Sequence, residues 1–277
     1  MESFKAKETS PFPYRLAAID LDDTLLGPDK QISVANATAV RQLQEHGVRV
    51  ILASGRGHEN MLRFHRQLGL SGPIVSCQGA LVKDAETGEI LHKHFVPADL
   101  AMDLVAEAKA RDIAVIYYHA NGMVVREQNK WTDLYQSRTG EKIEVYGDLT
   151  HQVNGTPQKV IWCDAPERVA ALMQPMQAHY RERLHVLTTD PEFLEFMAFG
   201  VDKAMGVAAV AKHYGFEPAH VLAFGDGNND VQMLARAGLG VAMSDARPSA
   251  KAAAAFVAPP GNPETSLARA ITAVLRQ

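Results

Sequence analysis

Two carboxylates stand two residues apart directly after a short apolar run near the start of the chain. The run covers residues 15–21, RLAAIDL, and it leads into Asp20 and Asp22. Two carboxylates this close repel each other, and a divalent cation would relieve the repulsion. Oxygen-rich acidic sites suit Mg²⁺. A magnesium site is therefore one interpretation of the pair. A solvated acidic turn is the other, and it would be preferred if the pair stood alone.

Further polar residues occur where other predicted elements begin or end. Ser54-Gly55-Arg56 closes a second apolar run, the sequence GDGNND (225–230) closes a third, and Lys203 follows Asp202 at a predicted helix start. Taken singly, these are typical of turns, loops and surface lysines. In open parallel sheets, however, ligands bind beyond the carboxyl ends of the strands. We therefore expect all of these residues to meet at one edge of one sheet.

The elements that would position these residues alternate between strands and helices. Strand-like runs at 15–21, 48–54 and 73–80 are separated by helical patterns at 33–46 and 57–69. Ser33 can cap the first helix and Gly47 can end it. After Gly200 the same alternation resumes, with helices at 203–214 and 229–237 and apolar runs at 220–225 and 240–243. Such alternation predicts a parallel sheet with right-handed crossovers.

The segment that lies between these two stretches of the chain has a different pattern. There, alternating strands predominate at 113–119, 122–127 and 159–164, and two helices interrupt them near 98–111 and 166–182. The predicted fold class is α/β, a Rossmann-like parallel-sheet core with an inserted α+β domain. We assign residues 1–14 to a flexible lead-in, residues 15–83 and 200–277 to the core, and residues 84–199 to the insertion.

Composition excludes several classes of protein. The chain has 277 residues, 47% of them hydrophobic, and a net charge of −4, so its surface is not the basic one expected of a nucleic-acid partner. The lead-in lacks the apolar core of a signal peptide, and no apolar run approaches the ~20 residues needed to cross a bilayer. Cys77 and Cys163 are interpreted as reduced thiols. We expect a soluble, cytoplasmic protein with no membrane partner; its oligomeric state is not indicated.

The motifs taken together resemble a known family. They are DLDDTLL (20–26), LASGR (52–56), GVDKAMGV (200–207) and FGDGNNDVQML (224–234). In this order, and with an insertion at this place, the sequence resembles the haloacid dehalogenase superfamily of phosphatases, in its Cof-type branch with a large α/β cap. The resemblance spans nearly the whole chain from about residue 15.

The resemblance implies a role for each matching residue. Asp20 would be the nucleophile and a Mg²⁺ ligand, and Asp22 the general acid–base, with its backbone carbonyl on the metal. The other implied roles are metal ligation by Asp226, phosphate binding by Ser54, Lys203 and Asn229, and support from Thr24 and Asp230. The implied activity is Mg²⁺-dependent hydrolysis of a small phosphorylated metabolite, a sugar phosphate or phosphorylated cofactor, through an aspartyl-phosphate on Asp20.

Two other functions remain open. Phosphomannomutase-like phosphoryl transfer uses a similar core and cap, but no sugar-gripping set of residues is identified in this sequence. A non-catalytic sensor of phosphorylated ligands is disfavoured, because a binder has no need to retain the nucleophile Asp20.

A few positions depart from the family pattern or have two interpretations. Many relatives carry Asn-Gly where this chain has Gln78-Gly79, and the chain also differs at Lys203-Ala204 and Ser244-Asp245. Arg56 is interpreted either as a contact to substrate phosphate or as half of an ion pair. Glu195, in FLEFMAF (193–199), is interpreted either as a substrate contact or as an outward-facing strand residue.

Overall fold

A computed structural model describes residues 12–119, 122–152, 155–188 and 190–276. Most of the predicted lead-in, residues 1–11, lies outside the described residues. The chain divides into two compact units. The first unit runs up to His92 and resumes at Asp202, and the second is Lys93–Val201.

The first stretch of the first unit alternates strands with helices, as predicted, and ends in a hairpin. Ser33 caps the first helix by accepting the N–H of Asn36 at 3.1 Å, and Gly47 follows that helix with a left-handed φ of 79°. The elements are β1 (Leu16–Ile19), α1 (Val34–Glu45), β2 (Arg49–Leu52), α2 (His58–Gln67), β3 (Pro73–Ser76), β4 (Leu81–Asp84) and β5 (Ile90–Lys93).

The second unit has a six-stranded sheet. One face of that sheet packs against helices around Trp162, Phe196 and Tyr180. The sequence predicted two helices in this unit, and the structure also has helices at Lys130–Thr139 and Leu149–Gln152. The elements are α3 (Ala98–Ala110), β6 (Ala114–His119), β7 (Gly122–Val125), α4 (Lys130–Thr139), β8 (Ile143–Val145), α5 (Leu149–Gln152), β9 (Lys159–Cys163), α6 (Pro166–His179), β10 (Leu184–Thr188) and β11 (Phe193–Ala198). The order of strands in the sheet is β10-β11-β9-β6-β7-β8.

The last stretch completes the first unit. Its elements are α7 (Lys203–His213), β12 (Val221–Gly225), α8 (Val231–Arg236), β13 (Leu239–Ala242), α9 (Pro248–Ala253), β14 (Phe256–Val257) and α10 (Ser266–Val274). The five-stranded sheet has the order β14-β13-β12-β1-β2, and all its pairs are parallel. This is the predicted parallel-sheet core.

The register of this sheet brings three strand ends to one edge. Ile19 pairs with Phe224 of β12 on one side and with Leu52 of β2 on the other. A bridge between Ala53 and Val75 joins β3 to the chain after β2. The polar residues that follow β1, β2 and β12 therefore begin at the same level along the sheet edge.

The limits of the two units differ in detail from the sequence assignment. The sequence places the first boundary at Lys83-Asp84, but β4 pairs with β3 and with β5 in a three-stranded sheet. The first unit therefore continues through this hairpin to His92. Within the described ranges, no helix is long and apolar enough to cross a membrane.

Candidate active site

The loop after β1 turns back on itself, and two of its residues contact the end of β12 and the loop that follows it. The N–H of Asp20 donates to the carbonyl of Phe224 at 3.0 Å, and the N–H of Leu25 donates to the carbonyl of Asp20 at 3.3 Å. Thr24 Oγ1 then donates to Asp226 Oδ1 at 2.9 Å. Thr24 thus ties the first predicted motif to the last one.

Three carboxylates and one ammonium group form the centre of the site. Asp20, Asp226 and Asp230 each place a carboxylate oxygen within 4.8 Å of the others. Lys203 Nζ lies 2.5 Å from Asp20 Oδ1 and 2.7 Å from Asp230 Oδ1. The lysine side chain is fully buried. With all groups ionised, three negative charges face one positive charge, so two negative charges stay uncompensated.

This excess of negative charge shifts the pKa values of the groups in the cluster. Burial, followed by the charge of Asp230, raises the pKa of Asp20 well above its ordinary value, although Lys203 opposes the shift. The same two causes raise the pKa of Asp226 to about 6. Burial would lower the pKa of Lys203, but the charges of Asp20 and Asp230 raise it above its ordinary value. The lysine is therefore charged, and the cluster still lacks positive charge.

The free oxygens of the cluster fit a hard divalent cation. Both oxygens of Asp230 are occupied, because Oδ1 accepts from Lys203 and Oδ2 accepts the N–H groups of Asp226 and Gly227 at 3.0 and 2.9 Å. Within the described part of the chain, Oδ2 of Asp20 and Oδ2 of Asp226 accept no hydrogen bond. Carboxylate oxygens such as these are the ligands that hard cations prefer.

Ser54 and Asn229 lie on the two loops that follow β2 and β12. Ser54 is buried, and its Oγ accepts the N–H of Arg56 at 3.2 Å, which leaves its own O–H to donate. Asn229 is exposed, and its Nδ2 donates to Gln78 Oε1 at 3.0 Å. Each side chain can therefore offer a donor to an anion, as the predicted phosphate-binding role requires.

Asp22 is held away from the carboxylate cluster by two cations. Arg56 donates to it through Nε and Nη2 at 2.8 and 2.7 Å, and Lys30 Nζ lies 3.3 Å from Oδ1. Burial would raise the pKa of Asp22, but Arg56 and then Lys30 bring it below its ordinary value. Of the two interpretations of Arg56, the structure contains the ion pair. Nothing in the sequence pointed to Lys30.

Glu195 lies in the second unit, on β11 opposite Ile161 of β9. It is 2% exposed, so the interpretation as an outward-facing strand residue is wrong. Its carboxylate accepts from Lys159 Nζ at 3.0 and 3.1 Å, and Lys159 is buried as well. Each charge compensates the other, which offsets part of the cost of burying them.

Comparison with known proteins agrees with this geometry. A family model described as haloacid dehalogenase-like hydrolase matches residues 17–271. An HMP-PP phosphatase from Serratia proteamaculans is 28% identical over 247 residues, covering 86% of each chain. A pyridoxal phosphate phosphatase from Escherichia coli is 27% identical over 260 residues, covering 88% of this chain and 92% of the relative.

A solved structure gives the same result at the level of the fold. A haloacid dehalogenase-like hydrolase from Bacteroides thetaiotaomicron superposes with a TM-score of 0.85 and 26% identity, covering 94% of this chain and 99% of that one. The family match extends over both stretches of the first unit and over the second unit between them. The chain therefore belongs to the haloacid dehalogenase-like hydrolase family, as a phosphatase of its Cof-type branch.

Proposed function

We propose that the protein hydrolyses small phosphorylated metabolites, sugar phosphates or phosphorylated cofactors, with Mg²⁺ and through an aspartyl-phosphate on Asp20. The observation that carries the proposal is the cluster of Asp20, Asp226, Asp230 and Lys203, which has an excess of negative charge and two free carboxylate oxygens. An acidic cluster of this kind cannot accept a phosphate dianion until positive charge is added.

Asp20, Asp226 and the backbone carbonyl of Asp22 would hold Mg²⁺. When bound, the ion would neutralise the cluster and stabilise the charge that develops on the phosphoryl oxygens. Lys203 adds a fixed positive charge beside Asp20, because Asp20 and Asp230 hold its Nζ on both sides. Asp230 is a positioning residue, since it holds both the lysine and the N–H groups of Asp226 and Gly227.

In the first half-reaction, a carboxylate oxygen of Asp20 attacks phosphorus as the bond to the leaving oxygen breaks. Ser54, Asn229 and Lys203 bind the phosphoryl oxygens, and protonated Asp22 gives its proton to the departing alkoxide. In the second, ionised Asp22 takes a proton from water, whose oxygen attacks phosphorus and releases inorganic phosphate and the Asp20 carboxylate. A covalent intermediate divides one difficult displacement into two easier ones.

The ion pair with Arg56 favours the ionised form of Asp22. This state is the one needed for the second half-reaction, in which Asp22 acts as a base. To act as an acid, Asp22 must first gain a proton, which requires the contact with Arg56 to weaken when substrate is bound. We therefore include Arg56 as a positioning residue for Asp22.

The test is release of phosphate from para-nitrophenyl phosphate, HMP-PP, pyridoxal phosphate and a panel of sugar phosphates, with Mg²⁺ and after chelation. The two named relatives supply the first cofactor substrates to try. We expect turnover only with Mg²⁺, with Ca²⁺ a poor substitute because it takes more ligands at longer distances. Full activity after exhaustive chelation would contradict the proposed site.

Substitution of the nucleophile completes this test. Asp20→Asn keeps the shape of the side chain but removes the nucleophile, so we expect turnover to be abolished while the fold is retained. Asp23→Asn is the matched control, because Asp23 is the neighbouring aspartate and its side chain is 64% exposed. Phosphate transfer to a sugar, seen only when a sugar bisphosphate is added, would instead favour a mutase. Binding without turnover would favour a sensor.

A further inference from the structure

The turn after β3 has an unusual backbone. Cys77 and Gln78 have φ values of 48° and 57°, and Gly79 follows with 94°. Left-handed conformations are costly for residues other than glycine, at about 1–2 kcal/mol each, and they persist where the surroundings fix them. Here the N–H of Gln78 donates to the carbonyl of Ser54 at 3.0 Å, and the N–H of Cys77 donates to that of Arg56 at 2.9 Å. The strained turn is thus fastened to the loop that carries Ser54.

The side chain of Gln78 lies flat on this loop. Gln78 is 5% exposed, and a Cβ placed on Gly55 would come within 2.4 Å of Gln78 Nε2. A side chain at position 55 would therefore displace the amide from this place. On its other side, Gln78 Oε1 accepts from Asn229 Nδ2 at 3.0 Å. The amide therefore lies between the loops of Ser54 and Asn229.

The same turn also touches the start of α7. A Cβ on Gly79 would lie 2.1 Å from the carbonyl oxygen of Asp202 and 3.3 Å from Cα of Lys203. Gln78 is consequently in contact, directly or through one neighbouring residue, with all three groups proposed to bind the phosphoryl oxygens: Ser54, Asn229 and Lys203.

The nitrogen end of the Gln78 amide is not engaged by the described part of the chain. Nε2 forms no hydrogen bond within the described residues, and it is not sealed from solvent. An amide nitrogen offers two N–H donors, and here it lies beside the loops that carry the donors of Ser54 and Asn229. The acceptor end is used to fix Asn229, so the orientation of the donor end is fixed too.

We propose that Gln78 is a phosphate-binding residue of this enzyme: its Nε2 donates to an oxygen of the bound phosphoryl group, while its Oε1 orients Asn229. The proposal rests on the proposed function, since the ligand is the phosphoryl group of substrate or product. Because the amide is neutral, it adds a donor without adding to the charge of a site that already holds Lys203.

The test uses the full-length protein with inorganic phosphate as the probe. Three quantities are measured for each variant: the inhibition constant of phosphate against para-nitrophenyl phosphate in Mg²⁺, the separate kcat and KM, and the rise in Tm on adding phosphate. The variants are Gln78→Glu, which keeps an acceptor for Asn229 but replaces the donor with an anion, and Gln78→Leu, which removes both. Gln67→Glu is the control, because it makes the same charge change at an exposed position of the same unit.

We expect Gln78→Glu to weaken phosphate binding and raise KM by roughly ten- to a hundredfold, the loss typical of a hydrogen bond to a charged group. The rise in Tm with phosphate should shrink accordingly, while Tm without phosphate stays close to that of the wild type. Gln67→Glu should change none of these values. If Gln78→Glu and Gln78→Leu fail to fold, Gln78→Asn is used instead, because asparagine tolerates a left-handed φ. We expect this variant to fold and to bind phosphate more weakly than the wild type.

A lower Tm with unchanged phosphate inhibition and unchanged KM would show that Gln78 only supports the turn, and the inference would be wrong. That result leaves the proposed function standing, provided that the wild type turns over and Asp20→Asn does not. A wild-type protein that neither hydrolyses phosphate esters nor binds phosphate would overturn both.

Discussion

The chemistry of the site depends on which carboxylate oxygens are already occupied. Asp230 uses both of its oxygens within the protein, whereas Asp20 and Asp226 each retain one. Asp20 and Asp230 are both buried, yet they differ in role because their carboxylate oxygens differ in how many hydrogen bonds they already accept. Asp230 positions other groups, and Asp20 and Asp226 are available to a ligand.

Asp22→Asn is expected to slow the reaction by roughly 10²–10⁴-fold, the usual range for loss of general acid–base catalysis. The loss should be smaller for para-nitrophenyl phosphate than for an alkyl phosphate, because a leaving group of low pKa needs little protonation. The measurement is kcat/KM for both esters in wild type and variant. An equal loss for both would mean that Asp22 is not the acid. Asp29→Asn, at an exposed position further along the same loop, serves as the control.

At this scale the sequence predicted that these residues meet at one sheet edge but not how they pair. The spacing of Asp20, Asp22 and Asp226 after apolar runs placed them at one sheet edge, because strand ends in a parallel sheet meet there. The partner of Asp22 could not be read in the same way. Arg56 reaches it across 34 positions of chain, and that contact depends on side-chain conformations that spacing does not specify.

At the scale of elements, close packing at Gly79 sets the position of Lys203. Gly79→Ala would combine a left-handed backbone with a Cβ 2.1 Å from the carbonyl oxygen of Asp202, the residue that caps α7. We expect Tm to fall by roughly 5 °C or more, and kcat to fall because the start of α7 carries Lys203. Gly47→Ala is the control, since Gly47 has φ of 79° but open space around it. If both variants behave alike, only backbone strain matters at Gly79.

The first turn of α2 is expected to make stability depend on pH. His58 is 6% exposed, and among the residues that the structure describes its buried Nδ1 finds no hydrogen-bond partner. Burial, with the charge of Lys83 adding to it, lowers the pKa of His58 from 6.5 to about 4, while Glu59 and Asp84 oppose the shift and His65 adds slightly to it. The unfolded chain therefore binds more protons between these values. The contribution to stability is complete above pH 6.5 and is lost as pH falls toward 4.

This contribution is at most about 3 kcal/mol, from a shift of roughly 2.5 units at 1.36 kcal/mol each. Denaturant unfolding of the wild type and of His58→Leu at pH 7.5, 6 and 4.5 would measure it. We expect the wild type to lose more stability than His58→Leu over this range. His94→Leu, at an exposed position, should follow the wild type. Parallel pH profiles for wild type and His58→Leu would contradict the assignment.

Elements with a strong local signal were the ones predicted from sequence. Ser33 and Gly47 mark the two ends of α1, and both ends are where the sequence placed them. In contrast, α4 was missed, because its sequence KWTDLYQSRT lacks a clear apolar face and only its ends, Asn129 and Gly140, carry a helix signal. The β4–β5 hairpin was missed because its strands are short and half-exposed.

At the scale of the whole molecule, the two units have different proposed roles. The candidate metal- and phosphate-binding residues all belong to the first unit, which β1 and β12 close by pairing across more than 200 positions of chain. The change from strands alternating with helices to a stretch in which strands predominate predicted an insertion. It could not give the order of strands, because that order depends on which distant strands bury each other's apolar residues.

In the second unit, Lys159 and Glu195 form a buried ion pair, which we propose contributes to recognition of the leaving group. Glu195→Gln alone removes the carboxylate charge that Lys159 Nζ contacts, and breaking a buried ion pair from one side typically costs about 3–5 kcal/mol. An altered substrate ranking in that variant could thus arise from lost stability. The double variant Lys159→Met/Glu195→Leu removes both charges, and replacement of a buried pair by apolar residues is often neutral or stabilising.

We expect the double variant to regain the Tm that Glu195→Gln loses, and to differ from the wild type in its ranking of kcat/KM among pyridoxal phosphate and sugar phosphates. Hydrolysis of para-nitrophenyl phosphate should be spared, because its leaving group departs with little assistance and offers few polar groups to recognise. Glu192→Gln is the control, because it removes a more exposed ion pair of the same unit, in which Arg138 lies 2.9 Å from Glu192. We expect it to change Tm little and to leave the substrate ranking unchanged. A stable double variant with the wild-type ranking would show that the pair is structural, and the residues that select the leaving group would then have to be sought elsewhere in the second unit.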